Sequence, residues 1–183
     1  VAHMQDQLGF EHLFECGTES GNQRGRQIGN EAHGVGQHGL RAAEKIERET
    51  GVRPGYQLCD VTQQAQVDAL VRAALDAWGH VDVLVNNAGL GGYAKVVEMT
   101  DEQWSKVLDV TLTGTFRMTR AMLPHMIARR AGAIVNNASV LGWRAQEGQS
   151  HYAAAKAGVM ALTRCSAMEA AAHGVRVNAV SPS

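Results

Sequence analysis

Apolar positions along this chain fall into a regular order only after about residue 40, and that order predicts the elements. Leu40 to Glu49 reads as a charged helix stopped by Gly51, and Tyr56 to Val61 as a short strand with Asp60 at its end. Val67, Leu70, Val71, Ala74, Leu75 and Trp78 recur at helical spacing, an amphipathic helix closed by Gly79. Val81 to Val85 is a compact run of β-formers that breaks at Asn86-Asn87-Ala88-Gly89. Helical periodicity returns near Thr100, a cap candidate with Asp101 and Glu102 in the first turn, and runs to Arg130 with weak points at Gly114 and Pro124. Ala133 to Asn136 predicts another strand, which opens into a loop from Ser139 to Gln149. Ser150 to His173 is a second long helix ended by Gly174, and Val175 to Val180 is the last strand.

Strands alternating with helices on short connections indicate parallel βαβ units, an α/β fold class. Strands this apolar require cover on both faces. Ligands in such sheets bind at the carboxyl ends of the strands, where Asp60, Asn87 and Ser139 all fall. Residues 1–39 differ: they are rich in Gly, Gln, Asn and His and hold no period. The chain therefore divides into an N-terminal segment, 1–39, and one domain, 40–183.

Composition narrows the choices. Apolar residues make up 45% and charged residues 19%, as in ordinary globular domains, and the net charge is −1. No basic field is available for a nucleic acid, and no apolar stretch is long enough to span a bilayer. Cys16, Cys59 and Cys165 are odd in number and scattered, which fits free thiols in a cytoplasmic protein. His33 and His38 have no acid or cysteine converging on them, so no metal site is expected. Met118, Met122 and Met126 at four-residue spacing form a packing or helix-pairing stripe.

Chemistry enters with Tyr152 and Lys156, four residues apart and so on one helix face. A cation beside a phenol favours the phenolate, and such a tyrosine can give a proton to a ketone or take one from an alcohol. A hydroxyl donor alongside would hold the substrate oxygen as charge develops on it. Ser139, 13 positions earlier at a strand end, can supply that hydroxyl.

The order of Asn86-Asn87-Ala88-Gly89, a long helix, a strand ending in Ser139, Tyr152-x-x-x-Lys156 and Asn178-Ala-Val-Ser-Pro182 resembles the short-chain dehydrogenase/reductase family. The likeness runs from about Leu40 to Ser183 and is nearest to bacterial 3-oxoacyl thioester reductases. Asn136 to Gln146, with the Ser181-Pro-Ser ending, resembles an actinobacterial steroid and acyl-CoA catabolic subgroup. This resemblance implies a Rossmann-type doubly wound parallel sheet, here incomplete at both ends, that binds NAD or NADP. Tyr152 would transfer the proton, Lys156 would hold the nicotinamide ribose, and Ser139 would bind the substrate oxygen. Asn87, Ala88 and Gly89 would line the adenosine side, Asp60 and Val61 would meet the adenine, and Pro182 would lie near the nicotinamide. A homodimer or homotetramer would form through the helices near 100–130 and 150–173.

Three departures accompany the likeness. Thr111 stands where the family carries an asparagine that helps complete a proton relay; its hydroxyl can still bond a water. Cys16-Gly-Thr-Glu-Ser-Gly-Asn-Gln23 keeps two glycines of the family's phosphate loop, Gly17 and Gly21, but ends in Gln23 and carries Glu19. Phe10 to Glu15 before it is a poor buried strand. Gly34-Val-Gly-Gln-His-Gly39 fits the generic dinucleotide pattern, but no strand precedes it and a flexible loop is expected there. The chain also stops where the family continues into a substrate-covering segment, which reads as an incomplete copy. Two functions follow: an oxidoreductase of secondary alcohols or ketones, or a cofactor-free remnant acting as a helix-paired module. Trp78 is expected in the core, Trp143 in the loop after Ser139 is as readily a plain loop residue as one facing the substrate, and Asn86 and Asn178 are expected to tie strand ends.

Overall fold

Four runs of β-forming residues align in one parallel sheet of order β1-β2-β3-β4: β1 (Leu13–Glu15), β2 (Val83–Asn86), β3 (Gly132–Asn137) and β4 (Val175–Val180). The structure is a computed structural model that describes residues 13–15 and 32–183, with side chains from residue 41 onward. The possible phosphate loop, Cys16 to Gln23, lies outside the described residues. Registers place Leu84 against Phe14 and Ile134, and Asn86 against Asn136. The segment that read as a poor strand therefore does join the sheet at Leu13–Glu15. Backbone pairing does not depend on apolar side chains, and it satisfies the otherwise bare edge of β2.

The helices are α1 (Ala32–Thr50), α2 (Gln64–Trp78), α3 (Asp101–Leu108), α4 (Gly114–Arg129) and α5 (Ser150–Ala171). The loop expected at Gly34–Gly39 is a correction: its backbone is helical and continues into α1. Glycine weakens a helix by about 1 kcal/mol against alanine, which a helix already propagating through the next residues can absorb. Tyr56 to Val61 is the second correction, because these residues form no strand. A strand needs a neighbour for its backbone groups, and none of the pairings among the described strands includes these residues.

Thr100 caps α3 as expected: its hydroxyl accepts from the Gln103 backbone at 3.2 Å, and the Gln103 side chain accepts from the Thr100 backbone at 2.9 Å. The predicted single helix over 100–130 is divided by a π turn, Asp109–Thr113, rather than broken at Gly114 or Pro124.

Burial alternates along the strands. Leu84, Asn86, Ile134, Asn136, Val175 and Val177 are buried, whereas the opposite face is half-buried in β2 and β3 and exposed in β4. Cover on both faces is thus not found among the described residues. Parallel crossovers of one hand, stepping in one direction across a sheet, lay their helices on the same face. There α2 packs on α4, and α4 on α5. Met118, Met122 and Met126 fill that core with Val67, Leu70, Val71 and Ala74, and Trp78 packs against it.

A buried polar ladder crosses the same layer. Asn86 donates to the Thr119 hydroxyl at 3.1 Å and to the Asn136 side-chain oxygen at 2.8 Å. Asn136 donates to Thr163 at 2.8 Å, whose hydroxyl donates to the Val159 carbonyl at 2.7 Å. Asn86 ties its strand end as expected; Asn178 is exposed on β4 and does not belong to the ladder. Alternation puts it on the uncovered face. Among the described residues no helix is long and apolar enough to cross a membrane.

Candidate active site

The loops that leave β2 and β3 meet the amino-terminal half of α5, and Gly89, Thr111, Tyr152 and Lys156 gather there. Lys156 lies 3% exposed, and its ammonium donates to the Asn137 carbonyl at the end of β3. Burial lowers its pKa from 10.5 to about 8, since desolvation penalises the charged form. The same nitrogen stands 5.5 Å from the centre of the Tyr152 ring. Tyr152 is half-buried, one helical turn before Lys156.

Gly89 marks where the site closes. A Cβ on Gly89 would come 3.6 Å from Lys156 Nζ and 3.8 Å from Thr111 Oγ1. The backbone after β2 therefore passes directly over both groups, and Gly91 continues past the Tyr152 ring, 3.9 Å from where its own Cβ would lie. Thr111 is fully buried in the π turn. Its hydroxyl accepts from the Leu90 backbone nitrogen at 2.9 Å and donates to the Leu90 carbonyl at 3.2 Å. With its one proton committed to Leu90, Thr111 can accept from a water but cannot donate to one. Its evident work is to anchor the loop over Lys156.

Ser139 is buried at the carboxyl end of β3, and its Oγ accepts from the Leu141 backbone nitrogen at 3.2 Å, opening a short 3₁₀ turn, Val140–Gly142. An oxygen used as acceptor keeps its own proton to offer outward. Val140 donates to the Pro182 carbonyl at 3.1 Å, so the residues after β4 brace the loop that carries Ser139. Gly142 seats this turn on α5: a Cβ there would lie 3.3 Å from the Ala157 backbone nitrogen.

Of the remaining expected residues, Asn87 is exposed at the end of β2 and accepts from the Asn137 side chain at 2.7 Å. Ala88 is half-buried beside the core. The exposed Asp60 carboxylate accepts from the Thr62 backbone at 2.9 Å, a local turn. Val61 is buried against Gly114, and its carbonyl accepts from Arg117 at 3.3 Å.

Sequence reasoning missed a latch between the two site loops. Ala94 donates to the Gly148 carbonyl at 3.0 Å, Gln149 donates to the Gly92 carbonyl at 2.7 Å, and Lys95 pairs with Glu147 at 3.1 Å. Gly148 lies under the Tyr93 ring at φ 74°, and buried His151 lies under Gly92. Burial holds the His151 pKa below its ordinary value. The closely spaced glycines, Gly89, Gly91 and Gly92, were the available signal for such close backbone approach. Asn137 was also missed, though the doubled Asn136-Asn137 at a strand end marked it.

A family model described as short chain dehydrogenase matches residues 33–183, most of the chain. The chain is a member of the short-chain dehydrogenase family. Curated relatives agree with the actinobacterial and 3-oxoacyl-reductase likeness. One is a (5R,7aS)-5-hydroxy-7a-methyl-1-oxo-2,3,5,6,7,7a-hexahydro-1H-indene-carboxyl-CoA reductase of Mycobacterium tuberculosis, 65% identical over 132 residues, 72% of this chain and 50% of that protein. Another is a 3-oxoacyl-(acyl-carrier-protein) reductase FabG of Thermotoga maritima, 44% identical over 123 residues, 67% of this chain and 50% of that protein. The chain thus spans about half the length of these relatives. The crystal structure of a short chain dehydrogenase from Mycobacterium smegmatis superposes with a TM-score of 0.77 at 56% identity, covering 80% of this chain and 61% of that one. The sheet and helices described above are accordingly the Rossmann-type α/β fold of this short-chain dehydrogenase.

Proposed function

We propose that this chain is a nicotinamide-dependent reductase that transfers hydride between NAD(H) or NADP(H) and a ketone or secondary alcohol. The observation that carries the reading is the buried Lys156 ammonium, set against the Tyr152 ring and held on the Asn137 carbonyl. A buried cation costs stability, and a structural role would be met as well by an apolar residue. Beside a phenol it favours the phenolate that proton transfer leaves behind.

The residues fit a dinucleotide: Gly89 passes as bare backbone over Lys156 and Thr111, and Asn87 stands exposed at the adjacent strand end. Lys156 would hold the nicotinamide ribose, Asn87, Ala88 and Gly89 the adenosine side, and Asp60 and Val61 the adenine, with Pro182 near the nicotinamide. A bound nicotinamide would supply the hydride. Tyr152 would give its hydroxyl proton to the ketone oxygen, the Lys156 ammonium would steady the phenolate so formed, and the Ser139 hydroxyl would donate to that oxygen while charge develops. Thr111 holds the covering loop through Leu90.

The substrate class follows from the relatives' names together with the site's mouth: a ring ketone carried on a CoA thioester, or a 3-oxoacyl thioester. Tyr93 and Trp143, 64% and 67% exposed on loops flanking α5, offer flat apolar surface suited to a ring. Self-association through α3, α4 and α5 into a homodimer or homotetramer belongs to the same proposal. Ala154, Ala161, Cys165 and Met168 form one exposed stripe on α5 that supports it.

Titration of the chain with NADH and NADPH, followed by nicotinamide fluorescence, tests the reading. Saturable binding is expected, with ketone-dependent oxidation of the reduced cofactor that Tyr152→Phe abolishes. A folded chain that binds neither dinucleotide is a cofactor-free module instead, and activity surviving Tyr152→Phe rules out the mechanism.

A further inference from the structure

The side chain of Asn137, at the carboxyl end of β3, is used by neither the core nor the proposed proton transfer. It follows Asn136 directly, so strand alternation turns its side chain away from the buried ladder. Its backbone carbonyl accepts the Lys156 ammonium, and its side-chain nitrogen donates to Asn87 Oδ1 at 2.7 Å. Its own side-chain oxygen is buried and, among the described residues, has no hydrogen-bond partner.

A buried acceptor with no donor costs stability, and leucine has nearly the same shape without that atom. Asn87 is exposed, so water could take over the bond that Asn137 now makes to it. The chain would therefore fold at least as well with a hydrocarbon at this position. What the carboxamide adds is a tether: its nitrogen donates to the Asn87 oxygen at 2.7 Å, a bond that leucine cannot make. The same residue grips Lys156 through its main chain.

We propose that Asn137 is a positioning residue of the dinucleotide site: it tethers the Asn87 side chain and fixes it relative to Lys156. The adenosine-side and ribose-side contacts then keep one spacing. This inference rests on the nicotinamide-binding reading above. It concerns binding, so its test needs no turnover.

The test is a set of fluorescence titrations with NADH and NADPH on the parent chain, Asn137→Leu, Asn87→Ala and the double variant, each with a thermal melt. Asn137→Leu is expected to melt no lower than the parent yet to bind about five-fold more weakly, and in the Asn87→Ala background to add no further loss. Parent-like affinity in Asn137→Leu overturns the inference. So does a lower melting temperature that accompanies the weaker binding, since that marks a merely structural role. A loss of the same size in the Asn87→Ala background also overturns it, because the effect then does not pass through Asn87. A parent chain that binds neither dinucleotide removes the proposed function and this inference together, so the parent curve tells the two failures apart.

Discussion

Lys156 is 3% exposed, its ammonium rests on the Asn137 carbonyl, and burial brings its pKa from 10.5 to about 8. The folded value lies below the unfolded one, so between these limits the unfolded chain holds more protons. Stability contributed by this group is therefore complete above pH 10.5 and lost as pH falls through about 8. Melts of the parent and Lys156→Met should diverge across that window, the parent gaining at up to roughly 1 kcal/mol per pH unit. A difference independent of pH would mean that Lys156 titrates as it does in solution. The same titration bears on turnover: ketone reduction, which uses the ammonium, should decline as pH rises through about 8. Tyr152, Lys156 and Ser139 could be picked out from the sequence because their chemistry depends on residue type and spacing. Thr111 could be placed but not interpreted, since nothing in the sequence shows that Leu90 takes both the donor and an acceptor of its hydroxyl.

At the scale of elements, helices and strands with their own periodicity were legible, down to the Thr100 cap and the Gly79 that ends α2. The errors fall where a neighbour decides. Tyr56 to Val61 has strand composition but forms none, and Leu13–Glu15 has poor composition but pairs with Val83 to Val85. The π turn at Asp109–Thr113 was illegible because its extra residue leaves the apolar period nearly unchanged. The ladder joining Asn86, Asn136, Thr119 and Thr163 depends on strand register, which is also a matter of neighbours. Asn136→Ala should remove one of the two bonds made by each of Asn86 and Thr163 in the core and lower stability by about 2–4 kcal/mol in a denaturant titration. A loss well under 1 kcal/mol would show that water replaces the amide. The latch between the site loops is tested at Gly148, where φ is 74° and a side chain would run into the Tyr93 ring. Gly148→Ala should displace Tyr93 and raise KM for the carbonyl substrate while leaving cofactor affinity near the parent value, measured in the same preparation.

For the molecule as a whole, the surface of α3 to α5 sets the remaining expectation. Trp104 and Phe116 are exposed at 40% and 39%, Met168 at 81%, and the Arg120 guanidinium sits 4.7 Å over the Phe116 ring. Isolated apolar residues on a surface need no explanation, but a stripe of them along a helix invites a partner. Two copies meeting through these helices would bury the α5 stripe and Phe116 together, in the self-complementary manner of a two-fold contact. Such pairing also bears on the site. Tyr152 and Lys156 stand on α5 and Thr111 between α3 and α4, so a contact that braces these helices holds the three groups in register. Light scattering on the purified chain should therefore give a dimer or tetramer, and Met168→Glu combined with Phe116→Glu should yield monomers. If the helices are braced by pairing, those monomers should melt at a lower temperature and bind the reduced cofactor more weakly. Monomers with the parent's affinity would show that each α5 holds Tyr152 and Lys156 unaided, and that self-association serves stability alone.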